Sequence, residues 1–353
     1  MKKILVFILI LLIPISVFAD TGRSTIIMDI DSGRILYKKN INEKRLIAST
    51  TKIMTCIIVL ENCDIEKNIT VGDEVLSMYG TNIYIKNGEV LKIKDLLYGL
   101  MLRSGNDAAI TLAYNTLGYD EFIKKMNEKA KEIGMENTNF NNPHGLDDDT
   151  KNYSTAYDMA LLSRYAYKNR IYRQIISTKK YVTKSSLKSY VWYNRMSLLN
   201  NYKNCIGGKN GYTPRAGKTL VSYAKKDDLI LTIVSLDDSS IYENHKSLYN
   251  NYFSKYKNYT IVEKGDFFIN NNSYYINKSF KYPLEEFETN DIKTLLKINN
   301  GKGNIEIYFN ENIIGKINLY ENNKIKKEKK TPLNKIIDLF SWNSIEVNWR
   351  STE

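Results

Sequence analysis

Hydrophobic and polar positions along this chain follow two periods in turn. Ser24 to Ile30 and Arg34 to Lys38 read as β-strands, and Asp31-Ser32-Gly33 between them is a turn signal, so together they predict a hairpin. An apolar stretch from Ile53 to Leu60, just after Ser49, fits a buried helix. Asp95 to Leu102 and Asp107 to Leu117 also read as helices, joined by Arg103-Ser104-Gly105-Asn106. Phe122, Met126, Ala130 and Ile133 mark one face of another helix that Gly134 ends, and Thr155 to Tyr167 continues the helical region. After about residue 180 the pattern turns β-like: Leu229 to Leu236 suits a central strand and Tyr212 to Ala224 its neighbour. Strands from both ends of the segment with helices between them predict an α+β domain over residues 20–258, a sheet backed by a helical layer.

A second composition begins near residue 260. Ile305, Ile307 and Phe309 alternate with polar residues, Asn310-Glu311-Asn312 turns the chain, and Ile317 and Leu319 alternate again. Helical periodicity is absent, which predicts a small all-β domain over 259–330. The tail changes once more. Lys324, Lys326, Lys327, Lys329 and Lys330 form a basic run, Thr331 can cap a helix that starts at Pro332, and Leu333, Ile336, Ile337 and Phe340 fall on one face. Residues 331–353 therefore read as an amphipathic helix and tail, too short and too charged to span a bilayer. Two uses fit it: an interfacial anchor on an anionic membrane surface, or a helix packed on its own β domain.

Composition narrows the chemistry. The 353 residues carry 51 Lys+Arg against 39 Asp+Glu and are 43% hydrophobic, which suits about two folded domains and excludes a disordered chain. Lys2 and Lys3 ahead of the apolar run Ile4 to Phe18, with Val17-Phe18-Ala19 at its end, read as a signal peptide over 1–19. The alternative, an uncleaved membrane helix, needs about 20 apolar residues. Cleavage lowers the formal charge from +12 to +10. The expected location is the extracytoplasmic face of the membrane or the cell wall, where acidic wall polymers and anionic lipid are natural neighbours of a basic protein and nucleic acid is not expected. Cys56 and Cys63 read as two turns apart on one helix, too far to bridge, so with Cys205 no structural disulfide is expected. His144 and His245 are the only histidines, no metal-ligand spacing is present, and neither G-x-G-x-x-G nor a Walker loop occurs; no metal or cofactor is expected.

Side-chain nucleophilic chemistry remains. Ser-x-x-Lys on a helix sets a hydroxyl and an amine one turn apart on the same face, and burial beside other cations would leave that amine neutral enough to act as a base. The spacing occurs at Ser49/Lys52, Ser177/Lys180, Ser185/Lys188, Ser222/Lys225 and Ser254/Lys257. Ser49 alone precedes a strongly apolar helix, where the dipole favours an anion; a plain N-cap serine is the competing reading. Ser222 lies in an expected strand, where i and i+3 point to opposite faces. His144, in the loop-forming Asn142-Pro143-His144-Gly145-Leu146, reads as a structural hydrogen-bonding group, and His245 as a surface residue.

Three segments, taken in order, carry a family resemblance: Ala48-Ser49-Thr50-Thr51-Lys52-Ile53-Met54-Thr55, then Ser104-Gly105-Asn106, then Lys209-Asn210-Gly211-Tyr212-Thr213. Ser104 follows Ser49 by 55 residues and Lys209 follows Ser104 by 105. Asn142 to Leu146, Ser154 to Ala160 and Ala216-Gly217 add to them. Over about residues 22–258 the chain resembles the low-molecular-mass penicillin-binding proteins, serine-type D-alanyl-D-alanine carboxypeptidases. The resemblance implies a transpeptidase/β-lactamase-like domain, antiparallel sheet with helical layers, followed by the β domain and tail. It implies Ser49 as nucleophile, Lys52 as its base, Ser104 as a proton carrier and Asn106 as orienting group. Lys209, Asn210, Gly211, Tyr212 and Thr213 would bind substrate: Lys209 and Thr213 the terminal carboxylate, the N–H groups of Ser49 and Tyr212 the oxyanion. The implied partners are peptidoglycan stem pentapeptides and, as covalent inhibitors, β-lactams. One position departs, because the family's usual Lys-Thr-Gly is Lys209-Asn210-Gly211 here; Lys86-Asn87-Gly88 has the same letters but reads as an Asn-Gly turn.

Two other readings stay open at this level. A β-lactamase would use the same machinery, but no Glu-x-x-Leu-Asn segment is present and the added β domain is foreign to it. A catalytically silent wall-binding protein is supported by Asn210 alone.

Overall fold

The computed structural model describes residues 20–148, 152–269, 272–299, 302–321 and 345–347. The expected signal peptide, most of the tail helix and the basic run at 324–330 lie outside these residues.

Both ends of the first segment meet in one antiparallel sheet. Strands β1 (Gly22–Asp29), β2 (Ile35–Lys39), β3 (Cys205–Thr213), β4 (Gly217–Lys226) and β5 (Leu229–Asp238) take the order β2-β1-β5-β4-β3, with Ile26 opposite Val234 where the first strand joins the last. Side chains alternate between two cores. Ile26, Met28, Val221, Tyr223, Val234 and Leu236 face a layer of six helices among the described residues, whereas Ile27, Leu220, Leu231 and Ile233 face two. The six are α1 (Lys52–Asn62), α2 (Ile93–Tyr98), α3 (Asn106–Thr116), α4 (Tyr119–Glu132), α5 (Ala156–Tyr167) and α6 (Arg170–Ser177), and on the far face the short helix Leu198–Asn201 accompanies the long α7 (Ile241–Lys255).

Several expectations shift. The strand expected from Tyr212 to Ala224 is a hairpin, β3 and β4, turned by Pro214-Arg215-Ala216. The helix expected over 95–102 gives way after Tyr98 to a wider π-type turn, Gly99–Arg103. Helices α6 and α7 were not expected from the periodicity; with them the sheet has helices on both faces, the helical layers that the resemblance implied. In α7 the apolar positions Ile241, Leu248, Tyr249 and Phe253 are diluted by Asn, Lys and Ser, and the period is masked in a region of β-like composition.

A separate core of Ile261, Tyr274, Ile276, Leu284, Ile305 and Ile307 holds the C-terminal β structure together. It comprises β6 (Lys257–Val262), β7 (Gly265–Ile269), β8 (Asn272–Ile276), β9 (Phe280–Leu284), β10 (Ile292–Asn299), β11 (Lys302–Phe309) and β12 (Asn312–Glu321). β6 pairs with β9, the others form a sheet in the order β7-β8-β12-β11-β10, and Ile345–Val347 runs parallel to β10. Asn310 and Glu311, both at positive φ (46° and 67°), make the tight turn expected between β11 and β12. Strand β6 starts at Lys257, so the expected boundary after residue 258 cuts through it.

Candidate active site

Ser49 lies in a single 3-10 turn, Ala48–Thr51, from which α1 continues without a break. The backbone is strained at its start: Ala48 is buried at φ 46°, a left-handed conformation unusual for a residue with a Cβ. Gly145 (φ 90°) packs so close that an added Cβ would sit 2.0 Å from the Ala48 carbonyl oxygen, and one added to Gly211 would sit 2.8 Å from the Ser49 nitrogen. Edge strand β3 on one side and the 142–147 loop on the other thus grip the turn by backbone approach. Thr219 ties β4 to the same place by donating to the Ile47 carbonyl at 3.1 Å.

Lys52, the first residue of α1, has no exposed surface. Its Nζ is 3.0 Å from Ser49 Oγ, 2.8 Å from Asn106 Oδ1 and 2.6 Å from the His144 carbonyl oxygen. Burial, reinforced by the nearby Lys209 cation and only partly opposed by Asp107, holds its pKa well below the ordinary lysine value. A neutral amine has two N–H groups and one lone pair. Asn106 and His144 offer only acceptors and take both N–H groups, which leaves the lone pair directed at the Ser49 hydroxyl.

The acceptors are themselves fixed. Asn106 opens α3 and donates its side-chain N–H to the Tyr79 carbonyl at 2.7 Å, which settles which end of the amide meets Lys52. The loop that presents the His144 carbonyl is pinned to α1, since Thr55 donates to the Pro143 carbonyl at 2.6 Å and Asn152 to Thr51 Oγ1 at 3.1 Å. The His144 ring accepts from Leu146 N–H through Nδ1 at 3.1 Å and is pulled down to about 3, by burial first and by Lys52 second. It is a neutral structural hydrogen-bonding group.

Ser104 is buried at φ 64°, and its Oγ accepts from Lys209 Nζ at 3.0 Å. Lys209, inside the edge strand, also donates to the Asn210 carbonyl at 2.7 Å. Burial and the positive charge of Arg195 lower Lys209 to about 7. The Asn210 side chain is half-buried and makes no hydrogen bond among the described residues, and Tyr212 beside it is 64% exposed.

The Thr213 hydroxyl donates to Asp147 Oδ2 at 2.8 Å and accepts from Ala216 N–H at 3.0 Å, contacts that shape the β3–β4 turn. One expectation needs correction. His245 is fully buried beneath the sheet, not on the surface. Its two ring nitrogens lie 2.7 Å from Ser222 Oγ and 2.8 Å from Ser235 Oγ, and burial lowers it to about 4 against the pull of Asp238 and Asp20. Sequence reasoning also missed Arg195 and Asp147. Neither stands in a motif; Asp147 follows the Asn142–Leu146 segment directly, which was the one available signal. Of the other Ser-x-x-Lys pairs, Ser185 closes a hairpin turn onto the Lys188 backbone and Ser222 lies in β4. Lys86-Asn87-Gly88 is a turn with Gly88 at φ 79°.

The chain is 36% identical over 221 residues to the D-alanyl-D-alanine carboxypeptidase DacF of Bacillus subtilis, a match covering 61% of this chain and 57% of that protein, less than two thirds of its length. It is 34% identical to DacB2 of Mycobacterium tuberculosis over 217 residues, 61% of this chain and 74% of the relative. Among solved structures, the carboxypeptidase DacD of Francisella tularensis superposes with a TM-score of 0.68 at 25% identity, over 88% of this chain and 96% of that one. The DD-transpeptidase of Streptomyces K15 does so with 0.63 at 31% identity, over 67% and 98%. The family description of D-alanyl-D-alanine carboxypeptidases, Peptidase_S11, matches residues 17–240, more than half of the sequence, and the chain belongs to that family.

Proposed function

We propose that this chain is a serine-type D-alanyl-D-alanine carboxypeptidase, removing the terminal D-alanine from peptidoglycan stem pentapeptides through an acyl-serine. The family acts on D-Ala-D-Ala stem peptides and binds β-lactams. One observation carries the reading: a buried amine 3.0 Å from the Ser49 hydroxyl, with both N–H directions occupied by other acceptors. Neutral Lys52 takes the serine proton as Ser49 Oγ bonds to the carbonyl carbon between the two D-alanines. The Ser49 and Tyr212 N–H groups receive the developing oxyanion. Supporting this, Ser49 is in the first turn of a helix and Tyr212 on an edge strand, two places where backbone donors go unpaired. The proton then travels by way of Ser104 to the leaving nitrogen, the C–N bond breaks, and D-alanine departs. Water hydrolyses the ester and restores Ser49. Lys209, when protonated, has a third N–H for the terminal carboxylate, with Asn210 beside it, while Asn106 orients the substrate amide as well as Lys52. β-Lactams acylate Ser49 and stop there. The apolar leader at 1–19 supports an extracytoplasmic location, and the C-terminal helix is proposed as a contact with anionic membrane.

Incubating the mature chain with diacetyl-L-Lys-D-Ala-D-Ala should release D-alanine, and fluorescent penicillin should label it stably. Ser49→Ala should lose both. Rapid penicillin turnover would indicate a β-lactamase; wall binding with neither release nor label would indicate a silent binder.

A further inference from the structure

Between Asp158 and Asp227 the chain has no acidic residue and fifteen basic ones, more than its entire net charge of +12. The middle of this stretch forms a two-stranded hairpin, Lys180–Lys184 paired with Ser189–Tyr193, which joins no larger sheet. Its inner face is occupied: Trp192 and Tyr190 are buried, Tyr181 donates to Asp95 and Tyr190 to Glu89, so these two carboxylates lie on that side. Among the described residues nothing covers the outer face. There Val182 sits opposite Val191 and Lys180 opposite Tyr193, with Leu187 at the tip, and these four apolar side chains are 60%, 51%, 58% and 59% exposed in the order Val182, Val191, Tyr193, Leu187. Lys180 and Lys184 flank them in solvent.

We propose that this hairpin face docks on an anionic phospholipid surface. Aliphatic residues can enter the headgroup boundary, tyrosine favours that depth, and the lysines reach phosphates around them. A soluble polyphosphodiester would match the lysines but would give no reason for the exposed valine pair and leucine. The proposal uses no residue of the C-terminal tail and does not depend on the catalytic reading.

The test is flotation of the full mature chain with vesicles of phosphatidylglycerol and phosphatidylcholine at 3:7, against pure phosphatidylcholine. The comparison is with two variants that keep the whole C-terminal tail: Lys180→Gln/Lys184→Gln and Val182→Thr/Leu187→Asn/Val191→Thr. The charge variant should lower partitioning to anionic vesicles roughly thirty-fold, since each of the two lysines near such a surface contributes a factor of about five. The apolar variant should lower it by at least roughly tenfold. An unchanged melting temperature reports that both remain folded. Unchanged partitioning of either variant overturns the proposal. So does a chain that binds soluble poly(glycerol phosphate) as tightly as the vesicles, with that binding insensitive to the apolar variant, because the face would then be a wall-polymer site.

Discussion

The two lysines of the site are proposed for opposite duties. Lys52 has only acceptors around it apart from the serine, and burial holds its pKa well below the ordinary lysine value; Lys209, near 7, has a third N–H for the proposed carboxylate only while protonated. As pH rises through about 7 the free enzyme loses that donor, so kcat/KM for a D-Ala-D-Ala peptide should fall by up to tenfold per pH unit. Arg195→Gln removes the cation that helps depress Lys209, and the midpoint of the falling limb should move upward; a pH–rate profile of both proteins checks it. Asn210 is the second residue-scale question. Its amide has no hydrogen bond among the described residues; it is larger and differently aimed than the hydroxyl of the threonine usual at this place, and a hydrogen bond to a charged group is worth about 1.5–3 kcal/mol. Asn210→Thr should therefore raise kcat/KM roughly ten- to a hundredfold, read as D-alanine release under subsaturating peptide. Ser49, Lys52, Ser104 and Lys209 were legible because each stands in a short motif. Arg195 and Asp147 were not, since their importance comes from being brought beside Lys209 and Thr213 by the fold. His245 misled for a related reason: no local pattern shows that α7 presses it against two strand serines.

Elements position the nucleophile by backbone contact, which explains how a short turn can be held in a strained form. The edge strand β3 approaches so closely at Gly211 that a methyl group there would meet Ser49 N at 2.8 Å, Thr219 Oγ1 at 2.6 Å and Ala48 Cβ at 3.1 Å. Gly211→Ala must push the strand and the turn apart. Displacements near 1 Å can lose about a hundredfold in rate, so penicillin acylation should slow by roughly that factor while the melting temperature moves little; a large fall in melting temperature would show instead that the strand cannot yield. At this scale the sequence was readable where periodicity was strong, as in α1, α3 and α4. It was unreadable where function shapes the backbone. The wide turn at Gly99–Arg103 delivers Ser104 in a left-handed conformation and no propensity announces it. The β3–β4 hairpin merged into one apparent strand because Pro214-Arg215-Ala216 is short and both arms are β-like.

For the molecule as a whole, the second core is tied to the first by Lys281 and Asn258 on Asp228 and, in the more buried contact, by an arginine lodged between aromatic rings. Arg34, just before β2, donates to Glu288 Oε2 at 3.0 Å and pairs with Oε1 through its other terminal nitrogen. Its guanidinium lies over the rings of Phe309, Tyr282 and Tyr256 at 4.6, 5.2 and 5.4 Å. The Arg34 and Glu288 side chains are only 11% and 13% exposed, so deleting the cation leaves a carboxylate short of its partner in a poorly solvated place. Removing one member of such a pair typically costs about 3 kcal/mol. Ser49 and Lys52 are held by contacts from β3, β4, α3 and the 142–147 loop, none of which involves Arg34. Arg34→Ala should therefore leave penicillin acylation within about twofold of wild type while loosening the C-terminal β structure, because each core has its own apolar cluster and loses only the buried one of the ties between them. Limited proteolysis should cut near 256–265 far faster in the variant, and calorimetry should separate one unfolding transition into two. If acylation instead falls in parallel with proteolytic resistance, the β structure supports the active site directly and the two cores fold as a single cooperative unit.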